Sequence, residues 1–129
     1  MFRRNGGLTL TKASRGDGYG RAVGSIRFKD LCVDAHDPAA VGRFWQTAIG
    51  GQLEVMADGD AVLSGGPLHA IWLNVVPEPK VVKNRVHLDV RGDPDRLVEV
   101  GASLLAEHDG WSVLADPDGN EFCAFDPRR

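Results

Sequence analysis

Ten side chains with the means to bind or react fall at alternate positions of short strand-like stretches. They are Asp30, Cys32 and Asp34; Trp72 and Asn74; His87 and Asp89; and Glu121, Cys123 and Phe125. A spacing of two puts each group on one face of its strand. His87 suits general acid or base work, as the imidazole side chain does. The carboxylates of Asp30, Asp34, Asp89 and Glu121 could orient it, recognise donors or hold a hard cation. The thiols of Cys32 and Cys123 offer soft ligands or, if activated, nucleophiles. Trp72 and Phe125 could stack against a planar molecule. His87 is therefore the candidate catalytic residue, and all ten form the candidate ligand-binding set. Such a face is too polar for a plain core and too aromatic for open solvent, which describes a small-molecule pocket.

Each of these residues also has a plainer use. His87 can be a histidine hydrogen-bonded to Asp89 or to a neighbouring strand. Cys32 and Cys123 read as small buried fillers, because no adjacent base or helix N-terminus is evident to lower their pKa. Asp34 and Asp89 can pair with Arg91 or Arg85. His36, His69 and His108 lie near strand or loop ends, where surface positions explain them. The glycine pairs match no phosphate-binding pattern.

The elements that must position these groups come in two similar sets. Val33-Asp34-Ala35-His36-Asp37-Pro38 leads into a helical pattern that stops at Gly50-Gly51. Leu88-Asp89-Val90-Arg91-Gly92-Asp93-Pro94 leads into another that stops at Gly101. In each, an Asp caps the helix and a Pro takes the first helical position, where its missing N–H costs nothing. The first helix, from Ala39 to Ile49, carries Val41, Phe44, Trp45, Ala48 and Ile49 as one apolar stripe. Strands are expected at Ile26–Asp34, Leu53–Met56, Ala61–Leu63 and Leu68–Val76. The second set is expected at Asn84–Arg91, Ser103–Glu107, Trp111–Ala115 and Glu121–Phe125, with a tight turn at Asp116-Pro117-Asp118-Gly119. Pro77-Glu78-Pro79-Lys80 is a stiff connector between them. The duplication predicts an α+β domain in which two halves face each other around a shared cup.

Length and composition allow one domain with one core. No apolar run is long enough to span a membrane, and no signal-peptide pattern opens the chain, so a cytoplasmic protein with free thiols is expected. Residues 1–24 carry Arg3, Arg4, Lys12, Arg15 and Arg21 against Asp17, a balance of +4; the whole chain is −3, which leaves −7 for the rest. The segment is glycine-rich and without periodicity, and reads as a flexible leader before a single domain over 25–129. The acidic body would repel phosphate, so no nucleic-acid partner is expected, and no membrane partner either.

These residues resemble the glyoxalase-like branch of the vicinal oxygen chelate superfamily, the group of glyoxalases, extradiol dioxygenases, fosfomycin-resistance transferases and bleomycin-binding proteins. The likeness rests on Asp37-Pro38 with Arg43-Phe44-Trp45, on the connector from Val76 through Lys80 to Asn84-Arg85-Val86-His87-Leu88-Asp89, and on Gly110-Trp111 with Asp116-Pro117-Asp118-Gly119-Asn120-Glu121-Phe122-Cys123. It covers roughly residues 26–126. It implies two βαβββ modules, over 25–79 and 80–129, whose sheets curve into one cup or half-barrel, and a homodimer, since family members often pair. Metal-using members place ligands on the first and last strand of each module, usually two histidines and two glutamates around one divalent ion. Carried over here, His87 matches. The first-strand position of module one falls on Asp30 or Cys32, its last-strand position on Trp72 or Asn74, and that of module two on Cys123, with Glu121 two residues earlier.

The resemblance therefore implies a small organic ligand in the cup without the usual metal, in the manner of resistance or sequestration proteins. If a divalent metal is bound, His87 with Asp30 or Glu121 would hold it. A Cys32/His87/Cys123 set is also chemically able to hold zinc. Two alternatives stay open: a metal-dependent lyase, isomerase or dioxygenase, and a non-catalytic dimerisation domain.

Overall fold

The computed structural model describes residues 24–128; nearly all of the basic leader expected over 1–24 lies outside the described residues. Module one runs β1 (Leu31–Ala35), α1 (Pro38–Ile49), β2 (Gln52–Val55), β3 (Ala61–Ser64) and β4 (Ala70–Val75). Module two runs β5 (Asp89–Arg91), α2 (Pro94–Glu99), β6 (Ser103–His108), β7 (Trp111–Ala115) and β8 (Glu121–Phe125). Each module forms one open four-stranded sheet, ordered β1-β4-β3-β2 and β5-β8-β7-β6. The first strand of each pairs parallel with the last, and the other ladders are antiparallel. The fold is α+β, two βαβββ modules with unclosed sheets, as the duplication implies.

Local chemistry accounts for the helices. The Asp37 carboxylate accepts the Ala40 N–H at 3.1 Å, and Pro38 opens α1. Asp93 does the same for the Asp95 N–H at 3.0 Å. Gly50 and Gly51 end α1 with φ of +80° and +105°. A Cβ on Gly51 would stand 2.7 Å from the Ser64 carbonyl oxygen, so there the glycine is required by space as well as by backbone. The stripe of α1 buries Val41, Phe44 and Trp45 against the core, with Ala48 and Ile49 partly covered.

That stripe also joins the modules. The ring centres of Trp45 and Phe122 on β8 are 5.0 Å apart, and those of Phe44 and Phe122 5.8 Å. Around this aromatic cluster, polar groups cross the same boundary. The His36 N–H donates to Asp118 at 3.0 Å, and Asn120 Nδ2 donates to the Asp34 carbonyl at 3.4 Å. Trp45 Nε1 donates to Asp116 Oδ2 at 3.4 Å, while Asp116 Oδ1 accepts the N–H groups of Asp118 at 2.9 Å and Asn120 at 3.0 Å.

Two expected strands are shorter than their sequence pattern. The stretch Ile26–Asp34 enters the ladder only at Leu31, and Asn84–Arg91 only at Asp89. The cause is the same in both. Each strand has a single neighbour, and register sets Leu31 beside Ile71 and Asp89 beside Cys123. The neighbours themselves begin one and two residues earlier, at Ala70 and Glu121, so at most one or two further residues of each stretch could have paired. An alternating pattern without a partner strand has nowhere to donate its hydrogen bonds.

Asp116→Ala would leave three N–H groups at this boundary without their acceptor. Urea denaturation should show a loss of about 2–4 kcal/mol. A loss within a few tenths of a kcal/mol would mean that the Asp116 bonds do not hold the modules together.

Candidate functional site

Register lines define what each polar face presents. On the first sheet, Cys32 lies beside Trp72 and Asp34 beside Asn74. On the second, Asp89, Cys123 and Val113 form one row; Arg91, Phe125, Trp111 and His108 form the next. Glu121 and Ala115 begin a third row. The second sheet's rows enclose a hollow of about 290 Å³, lined by Lys83, His87, Asp89, Trp111, Val113, Glu121, Cys123 and Phe125. A second hollow of about 270 Å³ lies at the seam, where Cys32 and Asp34 of β1 face Asn84, His87 and Glu121.

The ten sequence-selected residues thus divide. His87, Asp89, Glu121, Cys123 and Phe125 share the first hollow. Cys32 and Asp34 meet His87 and Glu121 at the seam. Asp30, Trp72 and Asn74 line neither. Asp30 is ion-paired with Lys29, whose ammonium lies 5.9 Å over the Trp72 ring. Cys32, read above as a buried filler, is exposed, whereas Cys123 is buried. Asp89 does not need Arg85 or Arg91 as partner: its carboxylate is 3.2 Å from His87 Nδ1.

Glu121 is committed elsewhere. One oxygen accepts from Lys80 at 2.9 Å and the other from the Asn84 N–H at 2.9 Å. Desolvation pushes this carboxyl upward, but the Asn84 N–H and the Lys80 ammonium outweigh it and hold it at about 2, below its ordinary 4.5. The residue thereby ties the connector Lys80–Asn84 to β8, three residues before His87. For Cys123, burial and then the nearby Asp89 charge raise the thiol, so it is protonated and is no nucleophile at neutral pH.

Residue chemistry alone missed Trp111, Lys80 and Lys83. Trp111 stacks on His108 at 4.1 Å and 18°, and on Phe125 at 6.0 Å and 15°. The three rings make a continuous wall across β6, β7 and β8. The alternation Trp111-x-Val113-x-Ala115 carried a signal for it, but only register reveals that Trp111 meets Phe125.

Asp30 and Glu121, the two carboxylates offered for a divalent ion, already have partners. Asp30 is spent on Lys29, Glu121 on Lys80 and Asn84, and Trp72 has no ligand atom. What the described residues do bring together is His87, Asp89 and Cys123, whose donor atoms all lie within 4.8 Å of one another. The sequence comparison agrees with the architecture: the model of the glyoxalase-like domain matches residues 30–125. This chain belongs to the glyoxalase-like domain family. Solved structures similar to it show the same fold at low identity. A glyoxalase/bleomycin resistance protein/dioxygenase family enzyme from Burkholderia phytofirmans is 22% identical, covers 75% of this chain and 95% of its own, and has a TM-score of 0.56. The fosfomycin resistance protein FosX from Mesorhizobium loti is 15% identical over 76% and 89% of the two chains, with a TM-score of 0.55. Oxidase ChaP-H2 is 16% identical over 79% and 94%, also at 0.55. No curated protein matches this glyoxalase-like domain. Among its described residues, no helix is long and apolar enough to cross a membrane.

Because folding depresses the Glu121 pKa, its ionised form adds stability that is complete above pH 4.5 and fades as pH falls towards 2. Glu121→Gln should cost about 1.5–3 kcal/mol at pH 7 and flatten the acid limb of the stability curve in that window. Thermal melts of both proteins from pH 7 to pH 2 measure it; parallel acid limbs would show that the connector is held by something else.

Proposed function

We propose that this glyoxalase-like domain binds a small, planar organic molecule in the hollow of its second sheet, without the oxygen-rich divalent centre of metal-using relatives. The observation that carries the reading is the Trp111–Phe125 wall, two rings within 15° of parallel, bordering a hollow that also offers Asp89, His87 and Lys83. A flat ligand gains stacking on that wall, and the polar groups at its edge fix its orientation. A resistance or sequestration role follows from such capture, since enclosure alone withdraws the molecule from solution. The test is intrinsic tryptophan quenching with planar heteroaromatic compounds. Trp111→Ala should weaken binding about tenfold while Trp72→Phe leaves it unchanged. Silence across the panel, or quenching insensitive to Trp111→Ala, would overturn the proposal.

One observation favours a second, enzymatic reading. Asp89 stands 3.2 Å from His87 Nδ1, the arrangement that orients an imidazole as general base. If the domain is an enzyme, His87→Ala abolishes turnover while stacking-driven binding persists.

The reading extends to a homodimer. Strands β1 and β5 are both sheet edges, and the segments before them expose Ile26, Phe28, Val81, Val82 and Val86, each more than 70% accessible. Unpaired edges flanked by exposed apolar side chains are satisfied by a second chain. Light scattering should return twice the chain mass; a monomer at the highest soluble concentration rejects the dimer.

A further inference from the structure

Resting on the reading that the second-sheet hollow takes a planar molecule, we infer that this molecule is an aromatic acid and that Lys83 selects it by pairing with its carboxylate. The charged groups that line the hollow carry the inference. They are Lys83, Asp89 and Glu121, with His87 able to gain a charge. Glu121 is neutralised by Lys80 at 2.9 Å and also accepts the Asn84 N–H at 2.9 Å. Asp89 faces His87 Nδ1 at 3.2 Å. Lys83 is different. Its ammonium donates to the Asn84 carbonyl oxygen, a neutral acceptor, at 3.2 Å, and no carboxylate among the described residues pairs with it. An ammonium has three donors, so most of its capacity, and all of its charge, is left for what enters.

The fold keeps that charge at the hollow. The two oxygens of Glu121 pin Lys80 and Asn84, the two ends of the short segment that carries Lys83. The Lys83 side chain is exposed, yet its field is felt inside, where it opposes the upward pull on the Cys123 thiol without cancelling it. A molecule stacked on Trp111 and Phe125 lies parallel to rings that are within 15° of each other, which leaves its edge for Lys83. A carboxylate held in the plane of an aromatic ring meets that geometry with a charge-assisted hydrogen bond. A planar cation would instead meet a like charge, and a neutral molecule would cover the ammonium without compensating it. The volume of about 290 Å³ lies at the small end of ligand pockets and suits one or two fused rings.

Calorimetric titration of the full chain with naphthoate, its neutral isostere naphthamide and the cation naphthylmethylamine tests the selection. Naphthoate should bind about five- to tenfold more tightly than naphthamide, and the amine more weakly than either. Raising salt to about 0.5 M should narrow the gap between acid and amide. Lys83→Met keeps the apolar stem and removes the charge. It should erase the preference for naphthoate while leaving naphthamide affinity and the melting temperature unchanged, and Lys83→Arg should retain the preference. Equal affinities for acid and amide, or a Lys83→Met loss shared by both, overturn the inference. No binding of naphthoate, with Trp111-dependent quenching by other planar compounds intact, sinks the acid alone; loss of both responses removes the hollow as a binding site altogether.

Discussion

The Asp116 carboxylate is the point on which the two modules depend. It ends β7, orders the turn into β8 through two backbone N–H groups, and takes the Trp45 indole N–H from the other module. Burial pushes its pKa up, against the Asn120, Asp118 and Trp45 donors that pull it down. Those three donors are the reason a buried carboxylate is tolerable there at all. With the turn fixed, Asn120 and Asp118 reach back to Asp34 and His36, and Glu121 is delivered to the connector. The hollow beside β8 is therefore a consequence of how this turn is satisfied.

Much of this architecture was legible in the residues. The Asp-Pro caps, the α1 stripe and the glycine stop each have local causes, and local causes are what a sequence displays. Strands β7 and β8 have the bounds their alternation suggests, because both have neighbours along their whole length. The expected strands at Ile26 and Asn84 enter their ladders only at Leu31 and Asp89, a register set by a distant strand and not by their own alternation. The same distinction governs the site. That His87, Asp89, Cys123 and Phe125 would share a face followed from a period of two. That Trp111 would complete the wall, and that Glu121 would be consumed by Lys80 and Asn84, depended on register and on the path of the connector. Neither is written in the spacing of any one strand.

Burial pushes two carboxylates near the seam upward, yet they end on opposite sides of their ordinary values. Asp116 has only neutral donors, and desolvation wins. Glu121 has an ammonium as well as an N–H, and the charge-assisted bonds win. Folding thus favours ionisation at Glu121 and opposes it at Asp116. The first can hold a cationic connector in place at any pH above the acid range, while the second serves as a hydrogen-bond hub within the core.

The duplication also explains why the modules cannot share ligand duty equally. Both first strands end two residues before their capping aspartate, at Ala35 and at Arg91. Yet Ala35 is fully buried on the helix side, whereas Arg91 shares the exposed face of Asp89. A slip of one residue inverts every side chain along a strand. Relative to its helix cap, module one is therefore one residue out of phase with module two. Counting back from the cap in module two reaches the polar face at Asp89 and His87; the same count in module one reaches the apolar Val33 and Leu31. The polar positions that remain, Cys32 and Asp34, sit one step away and open on the seam. Backbone symmetry survives this slip, but symmetry of donors does not, and the binding chemistry concentrates in the second sheet.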